Sequence, residues 1–199
     1  MKKQIVFATG NAGKMREVRE ILSDLGSDIL SMKEAGAFCD VEETGTTFTE
    51  NAFLKAEAVH EVLKDSIVLA DDSGLVIDYL NGEPGIYSAR YIGRDTPYAE
   101  KMADILRRME KARGKERSAR FTAAIACILP DGRRFSATAS MEGEIAMKPA
   151  GQNGFGYDPI LYLPEYRKTS AELSEEEKNA ISHRGKALRL MKEKLKGIL

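Results

Sequence analysis

Two pairs of neighbouring carboxylates are the residues of this sequence best suited to hold a divalent cation. Glu42-Glu43 occupy a predicted loop, and Asp71-Asp72 directly follow a predicted buried strand over residues 67–70. Because ligands of α/β proteins collect at the carboxyl ends of strands, Asp72 is expected to project into such a site. One or two carboxylates plus substrate phosphates usually hold Mg²⁺, and a carboxylate can also accept a proton from an attacking water. A solvated acidic turn is the alternative interpretation of each pair.

A glycine-containing segment near the N-terminus has the residue types of a phosphate site. It lies between a predicted strand over residues 4–8 and a predicted helix that begins at Met15, and it consists of Thr9, Gly10, Asn11, Ala12, Gly13 and Lys14. Backbone N–H groups at the start of a helix attract anions, glycine allows close approach, and a lysine adds a point charge. The spacing matches neither a Walker A loop nor G-x-G-x-x-G, so a plain Gly-rich turn is the alternative.

Two further segments offer groups that could bind a nucleotide base. Residues 154–159 alternate two glycines with Phe155 and Tyr157, and aromatic rings on such a loop are stacking platforms for a base. Ser182-His183-Arg184, near the start of the predicted last helix, place several N–H donors in a small space. The alternatives are an aromatic turn packed on the core and an ordinary helix-terminal histidine.

The elements that must position these groups alternate between strands and helices. Strands are predicted over 4–8, 28–31, 67–70 and 75–80, and as a hairpin over 121–129 and 133–141 around Pro130-Asp131-Gly132. Helical stripes begin near Met15, after the capping box Thr47-x-x-Glu50, at Pro97 as residue N1, and after the capping box Ser174-x-x-Glu177. The pattern predicts an α/β fold with a mixed sheet and two lobes around a cleft.

Composition excludes several classes of protein. With 199 residues, 43% hydrophobic and 31% charged, the chain is typical of a globular protein. A formal net charge of −1 provides no field to hold a nucleic-acid backbone, so no nucleic-acid partner is expected. The longest apolar run, 123–129, is too short for a membrane span, and the isolated Cys39 and Cys127 argue against zinc or disulfides. We therefore expect a cytoplasmic protein without a membrane partner.

Six motifs then occur in the order typical of a known enzyme family. They are TGNAGK (9–14), EETGTTFTENA (42–52), ADDSGL (70–75), PGIYSAR (84–90), GFGYDP (154–159) and EKNAISHRG (177–185). On these motifs the chain resembles the inosine triphosphate pyrophosphatase family, in particular its bacterial dITP/XTP pyrophosphatases, over residues 5 to about 190.

The resemblance implies a fold, an activity and an assembly. The fold would be an elongated mixed β-sheet with flanking helices and two lobes around a central cleft, formed by residues 1–199 as a single nucleoside triphosphate pyrophosphatase domain. The activity would be Mg²⁺-dependent hydrolysis of non-canonical purine nucleoside triphosphates (ITP, dITP, XTP) to the monophosphate and pyrophosphate. The assembly would be a homodimer.

It also implies roles for individual residues. Thr9 to Lys14 would bind the triphosphate, Glu42 and Asp72 would hold the metal, and Asp72 would be the proton acceptor. Glu43 and Lys55 lie in a motif that the family uses for catalysis. The remaining substrate contacts would be Ser73, Phe155, Gly156, Tyr157, Asp158, Lys178, His183 and Arg184. N–H groups of His183 and Arg184 would donate to the 6-oxo group of hypoxanthine. They would not bind the 6-amino group of adenine, because it is itself a donor.

Two other classes of function remain open at this stage. One is another Mg²⁺-dependent nucleotide hydrolase, releasing phosphate or resembling a septum-inhibitor-type nucleotide pyrophosphatase. The other is a nucleotide-sensing module that binds without turnover. The Asp71-Asp72 pair weakly favours an enzyme, because a sensor has little need of a carboxylate that activates water.

Overall fold

A computed structural model describes residues 4–199, so residues 1–3 of the predicted single domain lie outside the described residues. Within that range one seven-stranded sheet has the order β2-β1-β3-β4-β5-β6-β7. Its strands are β1 (Gln4–Phe7), β2 (Asp28–Ser31), β3 (Ile67–Ile77), β4 (Ser118–Ile128), β5 (Arg134–Ile145), β6 (Leu161–Leu163) and β7 (Lys168–Thr169). The helices are α1 (Ala12–Leu22), α2 (Phe48–Val62), α3 (Tyr98–Arg108), α4 (Glu175–Ile181) and α5 (His183–Lys196).

The sheet is mixed, which confirms the predicted α/β class. β1 pairs in parallel with β2 and β3, whereas β6 pairs antiparallel with β5 and β7. The predicted hairpin is present, because the Leu129 N–H donates to Arg133 O and Gly132 has a φ of 83° in the turn between β4 and β5. No helix within residues 4–199 combines the length and the apolar character of a membrane span.

The chain divides into two compact units, as the two predicted lobes require; the count of domains stays a prediction. Unit 1 contains the described residues up to Asp72, with Ala123–Ala139 and Arg184–Leu199, and unit 2 contains Ser73–Thr122 and Ser140–His183. In unit 1 the predicted stripe of α1 is buried through Met15, Val18 and Leu22. In unit 2 the stripe that follows Pro97 is buried in the corresponding core through Met102 and Ile105 of α3.

The helix starts show where local signals suffice. Thr47 caps α2 as predicted, accepting from the Glu50 N–H at 3.1 Å, but the Glu50 carboxylate binds Thr46 instead of closing a capping box. Both halves of the box of α4 form between Ser174 and Glu177. Pro97 is the N-cap residue of α3, one position before the predicted one. α1 begins at Ala12, earlier than the predicted Met15, because the Asn11 side chain caps the Lys14 N–H.

One strand replaces two in the centre of the chain. The prediction of a strand over 67–70, a turn at Asp71-Asp72 and another strand over 75–80 is wrong, because β3 runs without interruption from Ile67 to Ile77. Asp71 and Asp72 are buried within it, at 2% and 8% exposure, and cationic side chains compensate their charges. Residues 78–80 form a 3₁₀ turn instead of the end of a strand.

Candidate active site

In unit 1, Lys55 binds two carboxylates that come from different parts of the chain. Its Nζ lies 3.1 Å from Asp72 Oδ1 and 3.0 Å from Glu43 Oε1. α2 supplies the lysine, β3 supplies Asp72, and the loop before α2 supplies Glu43. The three predicted catalytic residues are therefore brought together by one ammonium group.

The surroundings of Asp72 favour its neutral form more than water does. Burial raises the pKa of the Asp72 carboxyl, and the negative charges of Glu43 and Asp71 add to this, while Lys55 acts in the opposite direction. Burial disfavours the charged form of Lys55, but the carboxylates of Asp72, Asp71 and Glu43 outweigh it and raise the pKa of the ammonium. The result is a carboxylate better suited to accept a proton, beside a lysine that stays charged.

Asp71 belongs to a separate, more deeply buried charge network. Its carboxylate accepts from Lys14 Nζ at 2.8 and 3.0 Å and from Arg184 Nε at 3.2 Å, and Arg184 Nη1 also donates to Glu17 at 3.2 Å. Burial alone would raise the pKa of Asp71, but the charges of Lys14 and Arg184 hold it well below its usual range. This network links β3 to α1 and α5.

Lys14 and Arg184 therefore have structural partners in addition to their expected ligands. Lys14, predicted to bind phosphate, is held by Asp71 in this structure. Arg184, predicted to donate to a base, is 4% exposed and directs two of its nitrogens to carboxylates of the protein. Both cationic side chains thus form ion pairs with carboxylates of the protein.

A cavity of about 250 Å³ in unit 1 exposes the polar ends of these networks. Lys14, Lys55, Glu43 and Asp71 line it together with Thr9 and Gly10. Asn11 caps α1, accepting from the Lys14 N–H, so residues 12–14 of the predicted phosphate segment form the first turn of the helix instead of preceding it. Because Asp40, Glu43 and Asp71 line the cavity beside the two lysines, it suits an anionic ligand bound together with a divalent cation.

The protein offers few ligands to a metal. Within residues 4–199 no group of three or more His, Cys, Asp or Glu side chains could hold a metal ion. Of the predicted pair, Asp72 is buried, whereas Glu42 is exposed and its backbone oxygen accepts from the Thr44 N–H. Such a set fits only a metal that takes most of its ligands from water and substrate.

The predicted base-binding loop lies in unit 2, and Asp158 holds it together. This carboxylate, 3% exposed, accepts from the Phe155 N–H at 2.8 Å, Ser170 Oγ at 2.8 Å and Lys178 Nζ at 2.5 Å. Asp158 thus fixes the loop and Lys178 from inside. The Phe155 ring is 55% exposed, and Lys178 Nζ lies 5.5 Å from its centre.

Tyr157 does not offer its ring to a ligand in this structure. It is 3% exposed, packs edge-on against Tyr98 at 5.2 Å between ring centres, and donates its hydroxyl hydrogen to Ser88 O at 2.8 Å. Of the two predicted stacking rings, Tyr157 therefore belongs to the core, as the alternative interpretation held, and Phe155 is at the surface. Gly156 allows the alternation with a φ of 67°.

The other predicted contacts of unit 2 are on β3, in α4 and at the start of α5. Ser73 is half-buried on β3, and Lys178 lies in α4 instead of the last helix. His183 begins α5 after a break at Ser182, and its buried ring stacks on Phe121 with ring centres 5.1 Å apart. The last helix predicted to begin after Ser174 is therefore divided into α4 and α5, because Ser182 adopts an extended conformation with ψ of 148°.

Replacing Gly154 with alanine tests whether this loop binds the ligand. A Cβ at this position would collide with the Asp158 carboxylate and lie 2.8 Å from Lys178 Nζ, and its φ of 77° disfavours any side chain. We expect about tenfold weaker binding of ITP, because a displacement of the loop that costs about 1–3 kcal/mol moves Phe155 and Lys178. Calorimetric titration with ITP measures this.

Gly114→Ala is the matched control in the same unit. Its φ is 52°, and a Cβ there would have no atom within 4 Å, so it imposes the backbone strain without the collision. Equal ITP affinities of the two variants would contradict a role of the 154–158 loop in binding.

Sequence reasoning missed three residues of these clusters. Asp71 was noted only as a neighbour of Asp72, and Glu17 was not noted. Asn51, fully buried in the first turn of α2, donates to Asp72 Oδ2 at 3.4 Å. Asn51 and Asp71 lie inside two of the six motifs, which is the signal that could have identified them; nothing in the sequence marks Glu17.

Comparison with known proteins gives concordant results. A model of the Ham1 family matches residues 5–194. A dITP/XTP pyrophosphatase of Clostridium perfringens is 46% identical over 202 residues, covering 99% of each chain. The solved structure of a HAM1 protein from Coxiella burnetii superposes with a TM-score of 0.91 at 42% identity, covering 98% of this chain and 99% of that one. The Staphylococcus aureus Ham1 protein gives a TM-score of 0.90 at 42% identity, covering 99% and 100%.

Proposed function

The chain belongs to the Ham1 family, and from that premise we propose that it hydrolyses non-canonical purine nucleoside triphosphates to the monophosphate and pyrophosphate. ITP, dITP and XTP are the substrates, and removing them from the nucleotide pool is the purpose. The observation that carries this proposal in the molecule is the unit 1 cavity, where Lys14 and Lys55 adjoin buried carboxylates. Full-length similarity to dITP/XTP pyrophosphatases supports it.

The triphosphate binds to the start of α1 and to the lysines of unit 1. The N–H groups at the start of an α-helix have no intrahelical partner, and those of Ala12 and Gly13 are available to phosphate oxygens between the satisfied N–H groups of Asn11 and Lys14. Lys14 moves from Asp71 to a phosphate, and Asp71 keeps Arg184 as its partner. The ligand thereby gains a cation that Asp71 already holds beside the cavity.

The residues present fit Mg²⁺ as the cofactor. Asp72 and Glu42 would be its protein ligands, because the Glu42 side chain is exposed and the Asp72 carboxylate has lone pairs besides those that bind Lys55 and Asn51. Mg²⁺ prefers oxygen, keeps several waters and takes substrate phosphates, so two carboxylates suffice. When bound, it would offset the negative charge of the triphosphate oxygens.

Asp72 is the proton acceptor of the reaction. It takes the proton of the attacking water as the bond between the α- and β-phosphates breaks, and its raised pKa suits this role. Lys55 and Asn51 hold its two oxygens, which keeps the carboxylate in one orientation. Glu43 fixes Lys55 from the other side.

The aromatic loop and the His183-Arg184 pair bind the base. Phe155 stacks on the purine beside Lys178, and donors of His183 and Arg184 bind the 6-oxo group of hypoxanthine or xanthine. Adenine would face these donors with its own amino group. Since Arg184 already binds Asp71 and Glu17, only its remaining N–H groups serve this contact, and Arg184→Ala is a test only if stability is measured alongside.

A panel of nucleoside triphosphates with Mg²⁺ tests the function directly. We expect pyrophosphate release from ITP, dITP and XTP, and at least tenfold lower kcat/KM for ATP, because its 6-amino group faces N–H donors in a hydrogen-bonded site. We expect a lower kcat/KM for GTP as well, but through its 2-amino group, since guanine shares the 6-oxo group of hypoxanthine and xanthine. Pyrophosphate and phosphate are assayed separately. Phosphate as the product would support another nucleotide hydrolase, and binding without product would support a sensor.

Membership of the same family supports a proposal about the assembly of the protein and its location. We propose a homodimer that acts in the cytoplasm on small-molecule nucleotides and binds neither nucleic acid nor membranes. The net charge of −1 supports the absence of a nucleic-acid partner. Light scattering at low micromolar concentration measures the assembly.

A further inference from the structure

Asn51 contacts two parts of the unit 1 site with one fully buried amide group. Its Oδ1 accepts from the Gly45 N–H at 2.8 Å, and its Nδ2 donates to Asp72 Oδ2 at 3.4 Å. We propose that Asn51 is a positioning residue that sets the place of both the Asp72 carboxylate and the loop 42–45. Its effect on catalysis rests on the proposed function, in which Asp72 accepts a proton.

The hydrogen bonds determine which way the amide points. The Gly45 N–H can only donate, so the oxygen of the amide faces the loop and the NH₂ group faces Asp72. Donation to Asp72 Oδ2 fixes the place of this oxygen in the buried site. Lys55, one helical turn after Asn51, binds the other oxygen of the carboxylate at 3.1 Å. Two residues on one face of α2 therefore fix the two oxygens of Asp72 separately.

Gly45 shows how closely the loop approaches this amide. A Cβ at position 45 would lie 2.7 Å from Asn51 Oδ1, 2.7 Å from Glu50 Cβ and 3.0 Å from the Asn51 backbone nitrogen. Gly45 does not have a positive φ, so glycine is required here by space and not by backbone conformation. Any side chain at this position would push the loop away from Asn51.

The same loop carries Glu43, the second partner of Lys55. A shift of the loop at Gly45 would therefore move Glu43, and with it the lysine that holds Asp72. The contacts form a closed chain from Asn51 through the loop to Lys55 and Asp72. Loss of the amide should disturb Asp72 by the direct route and by this indirect one.

Two substitutions of Asn51 separate the two ends of the amide. Asn51→Asp keeps an acceptor for the Gly45 N–H but presents a carboxylate oxygen to Asp72, whereas Asn51→Leu removes both contacts at similar volume. We expect kcat for ITP to fall about 10- to 100-fold in both variants, with KM changed less than about threefold. We expect hydrogen exchange of the Gly45 amide to accelerate at least about tenfold in Asn51→Leu and to stay near the wild-type rate in Asn51→Asp.

Ile128→Ala is the matched control. Ile128 belongs to the same buried cluster of unit 1 as Ala52 and Ala56 of α2, so its truncation lowers Tm without removing a contact of Asp72. It should leave both kcat and the exchange rate at Gly45 unchanged. Gly45→Ala, which displaces the loop from the other side, should reproduce the loss of kcat if Asn51→Leu does not fold.

The outcomes distinguish this proposal from the proposed function. A wild-type protein that releases no pyrophosphate from any nucleotide would overturn the function, and the exchange rate at Gly45 would still decide whether Asn51 holds the loop. If the wild type is active but both Asn51 variants keep the kcat of Ile128→Ala, the positioning role is wrong. Unchanged Gly45 exchange in Asn51→Leu would also overturn it.

Discussion

Replacing Asp72 with asparagine is expected to lower kcat for ITP by about 10²- to 10⁴-fold, the usual contribution of a positioned proton acceptor. Asparagine has nearly the same shape and retains one oxygen, but it cannot take a proton from water. Lys55 would keep Glu43 as its partner, so the rest of the cluster should stay in place. KM should change less than kcat, because the substitution does not alter Lys14 or the start of α1, the groups proposed to bind the triphosphate.

Asp65→Asn is the matched control for this substitution. Asp65 is exposed in the connection that leads into β3, so the same change removes one negative charge from the same region without touching the cavity. Pyrophosphate release gives kcat, calorimetry gives the affinity for Mg²⁺-ITP, and thermal unfolding checks the fold. An Asp72→Asn protein that binds Mg²⁺-ITP and retains full turnover would eliminate Asp72 as the proton acceptor.

The parts of the fold that were predictable depend on contacts between near neighbours in sequence. The stripe of Met15, Val18 and Leu22 predicts α1 because residues three and four apart share a face of a helix. Thr47 predicts the start of α2 because a cap bonds to an N–H three residues later. The turn at Pro130-Asp131-Gly132 likewise predicts the hairpin of β4 and β5.

β3 was not predictable in the same way, because its polar centre is compensated by distant residues. Two adjacent aspartates indicate a turn when only their neighbours are considered. Their partners Lys55, Lys14 and Arg184 are 17, 57 and 113 residues away in sequence. Only the folded chain brings these charges together, and they make two buried carboxylates tolerable in a strand.

The motifs single out candidate site residues, but they do not predict which groups those residues contact in the folded chain. Tyr157 and Phe155 are equivalent as stacking rings in the sequence, yet packing buries one and exposes the other. Asp158 has the chemistry of a ligand contact, but it accepts three hydrogen bonds from its own unit. A residue type at a given spacing predicts what a side chain could bind, and the packing around it decides what it does bind.

Replacing Asp71 with asparagine is expected to have the largest effect on stability, with the free energy of unfolding lowered by about 3–5 kcal/mol at pH 7. Lys14 and Arg184 would lose their shared carboxylate, and Arg184, which is 4% exposed, would retain its contact with Glu17. Glu17→Gln is the matched control, because it removes the other carboxylate from Arg184 and leaves Asp71 in place. Glu17→Gln should lower the free energy of unfolding clearly less than Asp71→Asn does. Denaturant unfolding measures both variants.

The pH dependence gives this prediction a definite sign. The folded-state pKa of Asp71 lies below the ordinary value of 3.8, since Lys14 and Arg184 outweigh the effect of burial. Its stabilisation is therefore complete above pH 3.8 and is lost as the pH falls through the folded-state pKa. The difference in stability between wild type and Asp71→Asn should be constant near neutral pH and shrink in acid. A difference that grows in acid would contradict the ionised state assigned to Asp71.

A double-mutant cycle with Lys14→Met separates the pair from the rest of the network. Because the two side chains are in contact, Asp71→Asn and Lys14→Met should together cost less than the sum of their separate effects, by about 0.5–3 kcal/mol. The coupling should disappear when the nucleotide takes Lys14 from Asp71. A coupling that is the same with and without bound ITP would mean that Lys14 never leaves Asp71, and the phosphate would then depend on Lys55 and the start of α1 alone.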